Sequence, residues 1–185
     1  MQNLSLIGFY EGTATDSGGR WLTDVQSWDF GQLEAVHDYI QWLFPLRRRS
    51  PVNPEAPVID REVSDAFRSR PELRTALIRS LETMLRFYGY ELEGTYEQPN
   101  VIQSDQFRSR APNWMTPGNH NHLRITRILG CLRALGLDRH AASFFRALQE
   151  VYWSDLQEKT HAISEESFSF WRSASGLATW DRGSA

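Results

Sequence analysis

Cysteine and lysine are almost absent from this chain. Cys131 is the only thiol, so no disulfide can form within it, and the sequence reads as one for a reducing, cytoplasmic setting. Lys159 is the only lysine; arginine carries the remaining positive charge, which we read as the codon bias of a GC-rich genome rather than as selection for forked anion contacts. No apolar run approaches the roughly 18 residues that a bilayer span needs. The stretch from Tyr39 to Leu46 is interrupted by Gln41 and Pro45. The first eight residues lack the positive start and long apolar core of a secretory signal, so no export is expected. A net charge of −3 supplies no global field to draw in nucleic acid or an anionic membrane. Gly-x-Ser-x-Gly, Walker and dinucleotide fingerprints are missing, which leaves nucleophilic catalysis with little support.

What is present suits a folded domain. A chain of 185 residues buries roughly 70% of its unfolded surface on folding, and a 41% hydrophobic fraction is enough to do so without a staple. One domain over residues 1–185 is expected. The periodicity is helical almost throughout, and the expected class is all-α: a compact multi-helix domain with a proline-rich connector and a long central loop.

After an irregular opening from Gly8 to Arg20, Asp29 caps a helix with apolar positions Leu33, Val36, Ile40, Leu43 and Phe44, stopped by Pro45. Pro45, Pro51, Pro54 and Pro57 then make an extended connector to Asp60. Asp60 caps a short helix through Val63, Ala66 and Phe67. Pro71 opens the next, whose stripe of Leu73, Leu77, Leu81, Met84, Leu85 and Tyr88 is closed by Gly89. The loop runs from Tyr90 to about Pro117, and no strand alternates convincingly. Helices follow from about Gly118 to Leu135, from Asp138 through Tyr152, and from Ser164 to near Gly176.

Three blocks carry a resemblance. They are Phe9-Tyr10 with Gly19-Arg20; Leu33-Glu34 with the run from His37 to Leu46; and the stretch from Trp114 to Leu129, which contains Asn119-His120-Asn121-His122 and Arg124. Together they resemble the conserved region of the opioid growth factor receptor family. The resemblance implies a mostly helical domain which, in animals, belongs to a receptor for the enkephalin pentapeptide associated with nuclear and perinuclear membranes and with growth restraint. The long tail and repeats of the animal receptors are not in this sequence, so a stand-alone bacterial relative is expected.

The candidate chemistry lies at the mouth of the Gly118–Leu135 helix. Ile125, Ile128, Leu129, Leu132 and Leu135 define its buried arc, with Cys131 reading as core, and His120, Arg124 and Arg127 line one edge. Arg124 falls near enough to the arc to be partly buried, where an unpaired guanidinium is costly. It needs a carboxylate such as Glu34, Asp38 or Glu82, or a bound anion.

In the ligand-binding reading, Arg124 and Arg127 clamp a carboxylate or phosphate beside the free amides near Asn119, with His122 at hand. Trp42 and Trp114 floor a pocket for a short peptide or small anionic molecule. In the enzyme reading, His37 and His120 do acid-base work, with His122 as a second candidate for proton transfer, in small-molecule or natural-product metabolism. In the third reading the same residues only knit helices together. No cofactor is expected. The pairs Glu34/His37 and Glu158/His161, both Glu-x-x-His, are the weak alternative for a di-metal site. The run Arg47-Arg48-Arg49 reads as a solvated loop corner, with a phosphate patch as its alternative.

Overall fold

The computed structural model describes residues 2–177, with side chains from Leu6 onward. The molecule is mostly helical, but not wholly so. Its elements are α1 (Gln2–Glu11), α2 (Leu22–Gln26), α3 (Phe30–Ala35), α4 (Ile40–Leu43), α5 (Arg61–Ser69), α6 (Pro71–Tyr88), β1 (Tyr90–Gly94), β2 (Pro99–Gln103), α7 (Phe107–Arg110), α8 (Asn121–Ala134), α9 (Asp138–Glu158) and α10 (Glu165–Ser175). A 3₁₀ turn at Ala111–Asn113 follows α7.

Helix α6 runs through the centre. Its predicted stripe is buried throughout, and each such leucine contributes about 1.5–3 kcal/mol by leaving water. It starts on Pro71 and ends on Gly89, whose φ of +90° is the left-handed closing conformation that the sequence calls for. It packs against α1, α5 and β1, while α8 packs against α9 and α10 and β2 lies on α9. Asp60 caps α5 through the Val63 amide at 2.9 Å, and Ser164 caps α10 through the Ser167 amide, as expected from their side chains.

Four expectations are corrected. The opening is helical through Glu11: the chain turns back so closely over Gly8 that its carbonyl accepts from Thr13 and Ala14, and any β-carbon there would press on Ala14. Glycine marks close approach at this point rather than a loop.

The central loop from Tyr90 to Pro117 is largely structured, and with its strands the all-α description fails. Tyr90 to Gly94 pairs antiparallel with Pro99 to Gln103, and Gly94 at φ +83° turns where a β-carbon would meet the Gln98 carbonyl at 2.2 Å. The buried Val101 fixes this hairpin to α9 by donating its amide to Ser143 Oγ. Asp138, expected as a cap, is the first residue of α9 instead, with Leu137 at the cap position.

The helix expected from Asp29 through Phe44 is two short ones. Its break, over Val36 to Tyr39, is where the candidate site is built.

Candidate functional site

A helix leaves its last carbonyls without intrahelical partners, and burying them unpaired is costly. At the end of α3 those carbonyls are taken by Arg124, reaching across from α8. Its Nη1 donates to Leu33 O at 2.9 Å and its Nη2 to Val36 O at 3.0 Å and Glu34 O at 3.5 Å. Val36 is extended, so α3 cannot continue. The guanidinium is 5% exposed and lies 5.6 Å from the centre of the Tyr39 ring. Its positive charge also suits the carboxyl end of a helix.

Arg127, one turn on, does the same for α4: its Nη1 donates to Phe44 O at 3.2 Å, and burial lowers the pKa of its guanidinium. The two arginines are therefore bolts that hold α3 and α4 to α8. Neither is a free anion clamp. The first amides of α8 are spent as well, since Asn121 N donates to Asn119 Oδ1, His122 N to Asn119 O, and Leu123 N to His120 O.

The four other expected ligand contacts are bonded internally. Trp114 is fully buried, gives its Nε1 to Tyr88 O at 3.0 Å, and accepts from His122 Nε2 at 3.0 Å. His122 in turn meets the edge of Trp171, whose Nε1 donates to the His122 carbonyl. Trp42 is buried against Phe9, with Nε1 on Ser17 Oγ. Asn119 bridges Asn113 O and Thr116 Oγ1, shaping the turn before α8.

What the bolts leave at the surface is a polar cluster on Glu34. Its carboxylate is 40% exposed and lies 3.3 Å from His120 Nε2, 3.2 Å from Asn121 Nδ2 and 3.8 Å from Arg124. His37 holds Ala35 O at 2.9 Å through Nδ1, and its ring sits 5.3 Å from that of His120. His37, His120 and Arg124 thus all come to Glu34 or its immediate neighbours. Arg124 does so from behind.

Beside Glu34 opens a cleft of about 280 Å³, lined by Phe30, Gly31, Glu34, Phe87, Arg110 and Asn113. Arg110 is the residue the sequence reading missed, hidden in what looked like loop. Its guanidinium lies 4.0 Å over the Phe30 ring and 5.3 Å from Phe87, and its Nε donates to Phe87 O. Burial lowers its pKa, and Glu34 is the carboxylate that opposes this.

A larger hollow, about 610 Å³, lies on the other side of the 107–116 segment, between Met115 and Asp155. Its buried acid is already spent, because Asp155 accepts from the Thr160 hydroxyl and from the amides of Ala162 and Ile163. Burial alone would raise the Asp155 pKa, and these bonds hold it below its ordinary value. Among the described residues, no three of His, Cys, Asp or Glu gather closely enough to hold a metal, and this includes Glu34, His37, Glu158 and His161. No helix among them is long and apolar enough to cross a membrane.

Burial disfavours the charged form of three histidines. The pKa values of His120, His122 and His140 all lie below the ordinary 6.5, in each case chiefly through desolvation. The unfolded chain therefore binds more protons than the folded one as pH falls through 6.5, and the stability these neutral rings contribute is lost below that point. The melting temperature is expected to be flat above pH 6.5 and to fall from there toward about pH 5, less steeply in His140→Gln. A melting temperature that holds or rises over the same interval would contradict this.

The opioid growth factor receptor (OGFr) conserved region matches residues 9–175, which contain every element of the site. The chain belongs to this family. The opioid growth factor receptor of Rattus norvegicus is 41% identical over 137 residues, covering 71% of this chain and 23% of that protein. The receptor of Homo sapiens is 42% identical over 140 residues, 71% of this chain and 20% of its own length. The opioid growth factor receptor-like protein 1 of Mus musculus is 34% identical over 140 residues, 74% and 29% respectively. The chain thus spans less than a third of the curated relatives it matches. No solved structure matches it. Within this family frame, the Glu34 cluster and its cleft face solvent inside the matched region.

Proposed function

We propose that this chain is a receptor-type binding domain of the opioid growth factor receptor family, which takes the end of a short peptide in the cleft between Glu34 and Arg110. The observation that carries this reading is one hollow lined by both Glu34 and Arg110, with the Arg110 guanidinium over the Phe30 ring and Phe87 beside it. A peptide's ammonium pairs with Glu34, its first side chain lies on the rings, and Arg110 donates to a peptide carbonyl. At about 280 Å³ the cleft accepts one end of a peptide rather than the whole.

A small anion alone meets Glu34 in this cleft, and Arg124 and Arg127 are engaged elsewhere, so the peptide reading is the better supported. The single unpaired thiol, Cys131, buried in α8, suits a cytoplasmic setting. An enzyme reading rests on the two imidazoles of His37 and His120, 5.3 Å apart beside Glu34. Those rings adjoin Glu34 rather than line the cleft, so this reading adds a proton acceptor next to the peptide site.

Calorimetric titration with the enkephalin pentapeptide, free and N-acetylated, tests the proposal. Acetylation is expected to weaken binding at least tenfold, about 1.4 kcal/mol. Glu34→Gln keeps an oxygen that can accept the hydrogen bond from Asn121 Nδ2 but removes the charge, and is expected to bind both peptides alike. Equal affinity of the unaltered chain for the two peptides would overturn the reading.

A further inference from the structure

The arginine run at the start of the connector does not behave as one loop corner. Arg49 turns back and donates to Pro54 O at 3.0 Å. Arg47 and Arg48 instead line a separate hollow of about 370 Å³ with Leu46, Gly130, Arg133 and Ala134. Neither Arg47 nor Arg48 has a hydrogen bond or ion pair among the described residues, and both are exposed. Arg133 makes only long polar contacts, 4.0 Å to Asp138 and 3.5 Å to Ala174 O, with its guanidinium resting against Gly176. No acidic side chain lines the hollow.

We infer that this hollow binds a small phosphorylated molecule. Gly130 and Ala134, one turn apart on α8, leave the floor without bulk; a β-carbon on Gly130 would already lie 3.3 Å from Leu46. The carboxyl end of α8 is nearby and brings roughly half a negative charge, which three guanidiniums outweigh. Guanidinium forks match phosphate oxygens in pairs, so two unspent arginines and a third with only long polar contacts suit a doubly charged group. The chain as a whole carries a net charge of −3, and these three arginines line one concavity. That geometry fits a compact free anion rather than nucleic acid or a membrane surface, which want an extended basic surface. The site lies at the other end of α8 from the Glu34 cleft and does not depend on it.

The test is titration of the full chain with inorganic pyrophosphate at constant ionic strength, followed by amide chemical shifts and calorimetry. Saturable binding that shifts residues around Leu46 and Gly130 is expected, weakened at least tenfold in the Arg47→Gln/Arg48→Gln double variant and unchanged in Glu34→Gln. Both arginines are exposed, so circular dichroism of the double variant is expected to match that of the original chain. Absence of saturable binding, binding matched by sulfate at equal concentration, or pyrophosphate affinity untouched by the double substitution would each overturn the inference. Binding only to vesicles carrying phosphoinositides, with none of free pyrophosphate, would overturn it too.

Discussion

Arg124→Ala is expected to lower the stability of the folded chain by about 3–5 kcal/mol, because the buried Leu33 carbonyl and the partly buried Val36 carbonyl lose a charged donor and the Arg124 side chain leaves a gap between α3 and α8. Folded domains of this size have only about 5–15 kcal/mol to spare, so the variant will be marginal, and denaturant midpoints are best read at low temperature. Arg124→Lys is the informative companion. Lysine keeps the charge but not the planar fork that reaches Leu33 O and Val36 O together, and it is expected to recover about half of the loss. Hydrogen exchange should localise the damage, with amides of α4 and the Val36 to Tyr39 break exposed before those of α6. A loss below about 1 kcal/mol would mean that the guanidinium is dispensable to the α3 end.

Trp114→Ala is expected to destabilise by a comparable amount, about 3–5 kcal/mol. The ring is fully buried among Tyr88, Tyr90 and Phe107, with Nε1 bonded to Tyr88 O. Removing it leaves a cavity and an unpaired carbonyl in the same place. Trp114→Phe is expected to cost less, keeping most of the packing and losing the bond. Thermal and urea unfolding of both variants checks this. A Trp114→Ala chain with unaltered stability but reduced peptide affinity would put the ring in a ligand contact instead.

These two residues show how far the sequence could be read and where it stopped. The wheel that set Arg124 against Ile125, Ile128 and Leu129 was sufficient to say that its charge is buried and needs a partner. It pointed to a carboxylate or a bound anion, and Glu34 does lie 3.8 Å away, but the closer partners are backbone carbonyls, which no residue-type pattern displays. The same omission turned α3 and α4 into one helix: Leu33, Val36, Ile40 and Leu43 keep helical spacing across a break made by an arginine some 90 positions away.

In contrast, α5, α6 and α10 carry their own local instructions in Asp60, Pro71, Gly89 and Ser164, and these elements are where they were expected. The hairpin had a weak trace in Tyr90-Glu91-Leu92-Glu93, too short to outweigh the helical pattern around it. With the hairpin unread, Arg110 stayed in a loop, and the cleft could not be assembled from sequence.

Of the candidate site residues, His37, His120 and Glu34 meet at the surface, whereas Trp42, Trp114 and His122 are internal. The difference follows from what each side chain needs. A tryptophan or a neutral imidazole can be satisfied by one carbonyl and a ring edge, and so can be buried cheaply. A carboxylate facing a histidine and a cleft retains capacity for a partner of its own.

The most direct test of the account is the position of bound peptide on the isotopically labelled chain. With the free enkephalin pentapeptide, amide shifts are expected at Gly31, Glu34, Asn113 and His120, and they should fade with the N-acetylated peptide. Shifts confined to the hollow between Met115 and Asp155, or the same shifts from both peptides, would contradict it.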